Sequence, residues 1–327
     1  MEPMLLLVLA LVLAAEFVNG WTDAPNAIAT VVGTRVLSPR KAILLATTFN
    51  IVGTFCGTAV AATIGKDIVN ASVIDLPTIA AAMLSIVLWS SVAAHYGLPT
   101  SESHALIAGL SGAALATAGP SVLLWVGWKK VFIGIACSTF LGLIPGLALA
   151  KILKRAFANC NPQKAKRVFG RLQIFSAGFM AFNHGLNDGQ KFMGVFALSL
   201  VLGGMMPSFS IPWWVILACA LTMGIGTSCG GYKIMGKLGI KMAHLETWQG
   251  FAAETSASLT ILGASSFGIP ISTTHTITTT IMGVGAARRF SAVRWSVVKD
   301  IALAWVFTFP ICGLIAFLAC LLLKFLF

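Results

Sequence analysis

The sequence predicts an all-α integral membrane protein made of two inverted repeats with broken helices and re-entrant hairpins. Three observations predict it. Hydrophobic residues make up 57% of the 327 and charged residues only 10%, a balance foreign to soluble domains. Apolar stretches of about 20 residues, the helical length that spans a bilayer, recur along the chain. Two stretches near opposite ends are copies: Gly97-Leu98-Pro99-Thr100-Ser101-Glu102-Ser103-His104 and Gly268-Ile269-Pro270-Ile271-Ser272-Thr273-Thr274-His275. Shifted by 171, positions 97, 99, 101, 104 and 112 carry the same residue in both.

The first segment runs from about 3 to 34, with an apolar start at Met4 and no Lys or Arg before it, so it reads as membrane helix rather than as a signal peptide. It is overlong for one span, and Asn19-Gly20-Trp21-Thr22-Asp23-Ala24-Pro25-Asn26 predicts a break inside it. Arg35, Arg40 and Lys41 then mark a cytoplasmic end. A second segment, about 42–64, leads to an outer loop at 65–76. Segments at about 77–96 and 101–118 flank the first Gly-x-Pro stretch, which has no Lys or Arg beside it. They read as a re-entrant hairpin whose tip is buried in protein.

A fifth segment, about 131–150, ends in the most basic stretch of the chain, with Lys151, Lys154, Arg155, Lys164, Lys166, Arg167 and Arg171. Lys129 and Lys130 fall on the outer side against the charge rule. The plan then repeats. Segment 172–203 is again overlong and interrupted at 183–191, and at an offset of 165 Phe17, Gly20 and Asp23 match Phe182, Gly185 and Asp188. Segment 211–230, a basic loop with Lys233, Lys237 and Lys241, a hairpin at 246–287 and a last span at 297–323 complete it. The expected division is a first repeat over 1–150, a basic cytoplasmic loop over 151–171 and a second repeat over 172–327. Each half makes an odd number of crossings, so the halves are inverted, the plan of secondary transporters with a midplane site. The net charge of +12 lies in short loops, which leaves no surface for nucleic acid. The seven cysteines form no C-x-x-C pair and imply neither disulfides nor zinc.

Each copied stretch places a Gly-x-Pro turn and hydroxyls before an apolar helical run, an N-cap signal. Two helix N-termini with free N–H groups and positive dipole ends make an anion cradle; taken singly, each reads first as an ordinary loop–helix junction, and the pairing reverses that. The candidates there are Thr100, Ser101, Ser103 and His104, and Ser272, Thr273, Thr274 and His275. The histidines have three readings: donors to an anion, proton shuttles, or internal hydrogen-bond partners. Lys191 reads as an anion ligand, a counter-charge to Asp188 or a snorkelling side chain.

Charge within a bilayer is costly, so the acidic residues there are functional candidates. Asp23 and Asp188 occupy equivalent breaks, and Glu254 lies midway along an arm of the second hairpin. Asn19, Asn26, Asn183, Asn187 and Gln190 add oxygens suited to hard cations. The competing reading makes the aspartates helix caps. Glu102 would repel an anion and is expected to point away from it. Asp23, Asp188 and Glu254 against Lys191 sum to −2, and a divalent oxyanion would overload a low-dielectric midplane. An inside-negative potential opposes anion uptake by roughly 2.3 kcal/mol per charge per 100 mV. Cations or protons therefore have to enter with the anion.

These motifs resemble the inorganic phosphate transporter (PiT) family, which is marked by two G-x-N-D-like and two P-x-S-x-x-H-like motifs. The first pair read Asn19-Gly20-Trp21-Thr22-Asp23-Ala24-Pro25-Asn26 and His184-Gly185-Leu186-Asn187-Asp188-Gly189-Gln190-Lys191, and the second pair are the copied stretches. The resemblance covers nearly the whole chain and is to the short bacterial type. It implies a symporter rather than an enzyme, taking up inorganic phosphate across the cytoplasmic membrane with Na⁺ or H⁺ and no cofactor. It implies phosphate on the hydroxyl runs, with Gln190 and Lys191. It implies the coupling ion, Na⁺ or H⁺, on Asp23 and Asp188, with Asn19, Asn26, Asn183, Asn187 and Glu254 as further cation-side residues. Thr22, Glu102 and Asn50 depart from the family pattern and bear on the choice of coupling ion. Sulfate or another tetrahedral oxyanion is the alternative cargo. An intramembrane hydrolase is the remote alternative, without H-E-x-x-H, G-x-S-x-G or G-x-G-D to support it. The expected partners are inorganic phosphate and the lipid bilayer, with a homodimer and a cytoplasmic accessory protein left open.

Overall fold

A computed structural model describes residues 3–326 and gives two halves with the same order of elements. The first has α1 (Pro3–Gly33), α2 (Pro39–Thr54), α3 (Ala59–Asp67), α4 (Leu76–His95) and α5 (Glu102–Ala118), then α6 (Trp125–Ala136) running through a π-turn into α7 (Gly142–Ala156). The second has α8 (Pro162–His184) running through a π-turn into α9 (Gln190–Leu202), then α10 (Trp213–Cys229) and α11 (Tyr232–Gly236). It ends with α12 (Thr247–Ser266), α13 (Thr273–Arg288) and α14 (Trp295–Leu326). Four helices, Pro3–Gly33, Leu76–His95, Trp125–Ala156 and Trp295–Leu326, are long and apolar enough to cross a bilayer. Two bent pairs, α2 with α3 at 69° and α10 with the run through Lys241 at 62°, raise the number to six. Among the described residues there is no strand, only the isolated bridges Val69 to Leu123 and Ala243 to Val293, at equivalent places in the halves. The chain is a multi-pass, all-α membrane protein.

The halves interlock. α1 packs on α10 and α8 on α2; α5 packs on α14 and α13 on α7. The glycines matched in the sequence explain how. A Cβ on Gly20 would strike the Met223 carbonyl, and one on Gly226 the Phe17 carbonyl; in the other half Gly185 meets Asn50 and Gly53 meets Phe182 in the same way. Gly112 and Gly283 likewise sit against the backbones of Gly313 and Leu143. Small residues let backbones approach where lipid supplies no hydrophobic drive. The outermost helices, α6–α7 and α14, turn residues such as Phe140, Ile144, Val306 and Leu314 outward. Polar side chains are gathered inside.

Several expectations are corrected. No break occurs at 19–26: α1 runs through, Pro25 included. Thr22 makes the i−4 back-bond to the Val18 carbonyl at 2.9 Å, which a helix accommodates, and Asn26 bonds across to Thr274 at 3.0 Å instead of to its own backbone. The expected break at 183–191 is only a π-turn, Gly185–Gly189, within a continuous helix. The true breaks lie at 55–58 and 230–231, where the chain bends between α2 and α3 and after α10. Lys233, Lys237 and Lys241 lie on α11 and its π-turn rather than in a loop. The stretch 151–171 is helical except at 157–161. Lys130 is explained by its contacts: it donates to Asp67 at 2.9 Å and Thr63 at 3.0 Å, so its charge is answered locally.

The topology is testable. In a background lacking the exposed Cys56, Cys160 and Cys229, Ser72→Cys should react with an impermeant thiol reagent from outside and Lys164→Cys only after permeabilisation. Labelling of both from one side would contradict the inverted arrangement.

Candidate functional site

The hairpins α4–α5 and α12–α13 bring their tips together at the centre. Each tip turns at a glycine in the left-handed region, Gly97 (φ 65) and Gly268 (φ 64), where a side chain would be strained. An extended Gly-x-Pro stretch then delivers a serine to the N-cap. Ser101 Oγ accepts from the His104 N–H at 3.3 Å and Ser272 Oγ from the His275 N–H at 3.2 Å. The two serines bond each other, Oγ to Oγ, at 2.8 Å. The rings of His104 and His275 lie 4.5 Å apart, their Nδ1 atoms unpartnered. Both pairs are related by the offset of 171, so a local twofold axis passes between them. Thr100, Ser103, Thr273 and Thr274 are buried beside them. Two positive helix ends and a ring of hydroxyls thus converge where an anion would be held.

The carboxylates gather next to the tips. Asp23, Asp188 and His184 offer ligand atoms within 4.8 Å of one another. Asp188 is well supplied: Lys191 Nζ lies 2.6 Å from Oδ1, Asn187 Nδ2 donates at 2.6 Å, Thr273 Oγ1 donates at 3.2 Å, and His184 Nε2 stands at 3.6 Å. Lys191 is buried, which removes the snorkelling reading, and it also donates to Ser103 at 2.5 Å and to the Ile271 carbonyl at 3.1 Å. Asp23 has one donor, Thr274 Oγ1 at 3.2 Å. The buried oxygens Glu16 Oε1, Asn19 Oδ1 and Asn26 Oδ1 on the same helix have no partner. All are acceptors, so this side of the site calls for a cation or proton.

Other predicted residues stand apart. Gln190 accepts from the Val60 N–H at 2.8 Å and donates to the Leu186 carbonyl at 2.6 Å, fixing the start of α3 instead of joining the tips. Asn183 donates back to Phe179 at 2.8 Å, its Oδ1 unpartnered. Glu254 forms a separate cluster, accepting from Thr30, Ser176 and, at 3.2 Å, Gln173. Glu102 accepts from Thr22 of α1 at 2.9 Å and from Ser90 of α4 at 2.8 Å. The carbonyls that help build the site come from the hairpin tip, chiefly Ile271, not from an unwound helix.

Sequence reasoning missed Thr22, Thr30, Ser90, Gln173 and Ser176 as carboxylate partners, and His184, whose spacing of one helical turn from Asp188 was the available signal. A cavity of about 690 Å³ lies away from the tips, lined by Arg35, Lys154, Lys166 and Trp248 among others. Thr34 in its wall donates to Gln173 at 2.9 Å and so touches the Glu254 cluster.

Comparison with known proteins gives the family of the chain. The sequence pattern of the Phosphate transporter family matches residues 19–165 and 156–316, one match per half. A Rhizobium meliloti protein described as "Probable low-affinity inorganic phosphate transporter" is 42% identical over 96% of this chain and 95% of its own. A Bacillus subtilis protein of the same description is 38% identical over 100% of both. A solved structure described as "The sodium-dependent phosphate transporter" matches over 100% of both chains with a TM-score of 0.90 and 23% identity; that likeness is one of fold. The chain belongs to the phosphate transporter family.

The contact between the tips makes a prediction of its own. Ser101→Ala and Ser272→Ala should each cost about 1 kcal/mol through the lost cap. Because they share one hydrogen bond, the double substitution should cost less than the sum. A double-mutant cycle read by denaturant unfolding in mixed micelles checks this, and strict additivity would deny the contact.

Proposed function

We propose that this member of the phosphate transporter family is a symporter that takes up inorganic phosphate across the cytoplasmic membrane, driven by a cation. The observation that carries the reading is the meeting of two buried helix N-termini at Ser101 and Ser272, beside the buried aspartates of both halves. Phosphate would be held by the hydroxyls and N–H groups at the tips, from Thr100 to His104 and from Ser272 to His275. Lys191, already on Ser103, would add positive charge at the edge of that site. Separation of the tips, with the repeats over 1–150 and 172–327 moving about the local axis, would expose the site to each side in turn.

Cation coupling follows from charge. A dianion placed beside Asp23 and Asp188 is repelled unless a cation lies between them. The amide oxygens of Asn19, Asn26 and Asn183 have the hardness that Na⁺ or a proton donor requires. Sodium is the first ion to test, because the solved protein with this fold is described as sodium-dependent. We place the basic stretch 151–171 on the cytoplasmic side by its charge.

The test is uptake into proteoliposomes with Na⁺ and pH gradients imposed separately, with sulfate as competitor. Asp23→Asn and Asp188→Asn should each abolish accumulation against a gradient and weaken phosphate binding through lost linkage. If the aspartates merely cap helices, Asn serves as well, and near-normal accumulation in both variants would decide against coupling.

A further inference from the structure

We propose that Lys191 stands permanently in the place where the second half would otherwise take a mobile cation, so that the chain loads one coupling ion, on the Asp23 side. This inference rests on the symport reading above and specifies its stoichiometry.

The argument is the pseudo-symmetry. At the offset of 165 Asp23 matches Asp188 and Asn26 matches Lys191; at 171 Thr274 matches Ser103 and Thr100 matches Ile271. The contacts obey the same relation. Asn26 donates to Thr274 at 3.0 Å, and Lys191 donates to Ser103 at 2.5 Å. Each residue on the long helix of one half therefore meets the hairpin of the other.

The ammonium of Lys191 lies among a carboxylate (Asp188, 2.6 Å), a hydroxyl (Ser103, 2.5 Å) and a backbone carbonyl (Ile271, 3.1 Å). Those are the ligand types of a hard cation. The chain thus carries its own monovalent cation into that cage on a four-carbon stem, fixed in place by burial.

The first half has matching positions and no such charge. Asn26 is neutral, and its Oδ1 is buried without a partner, as are Asn19 Oδ1 and Glu16 Oε1. Asp23 shares Thr274 with Asn26, as Asp188 shares its surroundings with Lys191. Next to Asp23 on α1, Thr22 donates to Glu102, which stands where the second half has Thr273. The second half holds an ion pair, although Asn183 Oδ1 and His184 Nε2 on the same helix are also unpartnered; the first holds no cation, only carboxylates and the orphaned oxygens of Glu16, Asn19 and Asn26. Only the first half needs an ion from solution.

The experiment is phosphate binding by the full chain in nanodiscs, read by calorimetry across an NaCl series with choline chloride holding ionic strength. It is repeated as a pH series without Na⁺, with phosphate's own titration subtracted. The slope of log affinity against log cation activity counts the cations bound with phosphate, by linkage. For the wild type a slope of about one is expected, and for Lys191→Asn, which restores the first half's residue, about two. The melting temperature of Lys191→Asn should also rise with the coupling cation more steeply than that of the wild type. Asn26→Lys should bind phosphate with a slope near zero.

A wild-type slope of about two overturns the proposal by itself. So does an unchanged slope in Lys191→Asn or in Asn26→Lys, and either variant decides if the other fails to fold. A wild-type slope of zero for both Na⁺ and protons has a different meaning: it removes the symport reading, and this inference with it.

Discussion

A charge inside a bilayer has to be answered by an opposite charge or by several donors, and most of the interior obeys that constraint. Glu254 is answered by two hydroxyls and an amide. Glu102 is answered by two hydroxyls. Asp188 is answered by an ammonium, an amide and a hydroxyl. At least one donor to each carboxylate comes from another helix, so solvating the charge also ties helices together. The buried carboxylates therefore position the hairpins at the same time as they supply the site's electrostatics.

Asp23 falls short of that, as does Glu16 on the same helix, whose one donor is Asn19 at 3.1 Å; of the two, Asp23 is the one that touches the hairpin tips. It has a single hydroxyl donor at 3.2 Å and lies on a helix with three unpartnered acceptor oxygens. Three buried carboxylates are satisfied and these two are left short, and that asymmetry is what the proposed ion site rests on. The asymmetry is written on a symmetric frame. The order of elements repeats, and the substitutions Asn26 for Lys191, Thr22 for Asn187 and Glu102 for Thr273 differentiate the two sides.

Much of this was legible in the sequence, because the repeat shows in residue identities alone. Hydropathy set the class, and the copied Gly-x-Pro stretches set the hairpins and the capping serines. The aspartates were found because a charge in an apolar run has few structural excuses. The helix breaks were misplaced for a physical reason. Gly20, Asn19 and Asn26 look like breakers when only the local chain is considered. In the fold the glycine serves a helix crossing, and Asn26 reaches to a partner 248 positions away. The carboxylate partners Thr30, Gln173 and Ser176 were illegible for the same reason: a hydroxyl or amide on a long helix carries no local signal of what it meets. Gln190 was drawn into the site by proximity in sequence to Asp188, while its amide faces the opposite way, toward Val60.

The interlocked glycines have a consequence for biogenesis. Because α2 packs on α8 and α5 on α14, the close-packing faces of the first half are made for helices that leave the ribosome later. The early helices must wait in the lipid with those grooves unfilled. The chain therefore cannot mature one repeat at a time, as tandem domains do. Insertion and assembly are separate events, and α14, synthesised after both hairpins, closes the groove opened by α5.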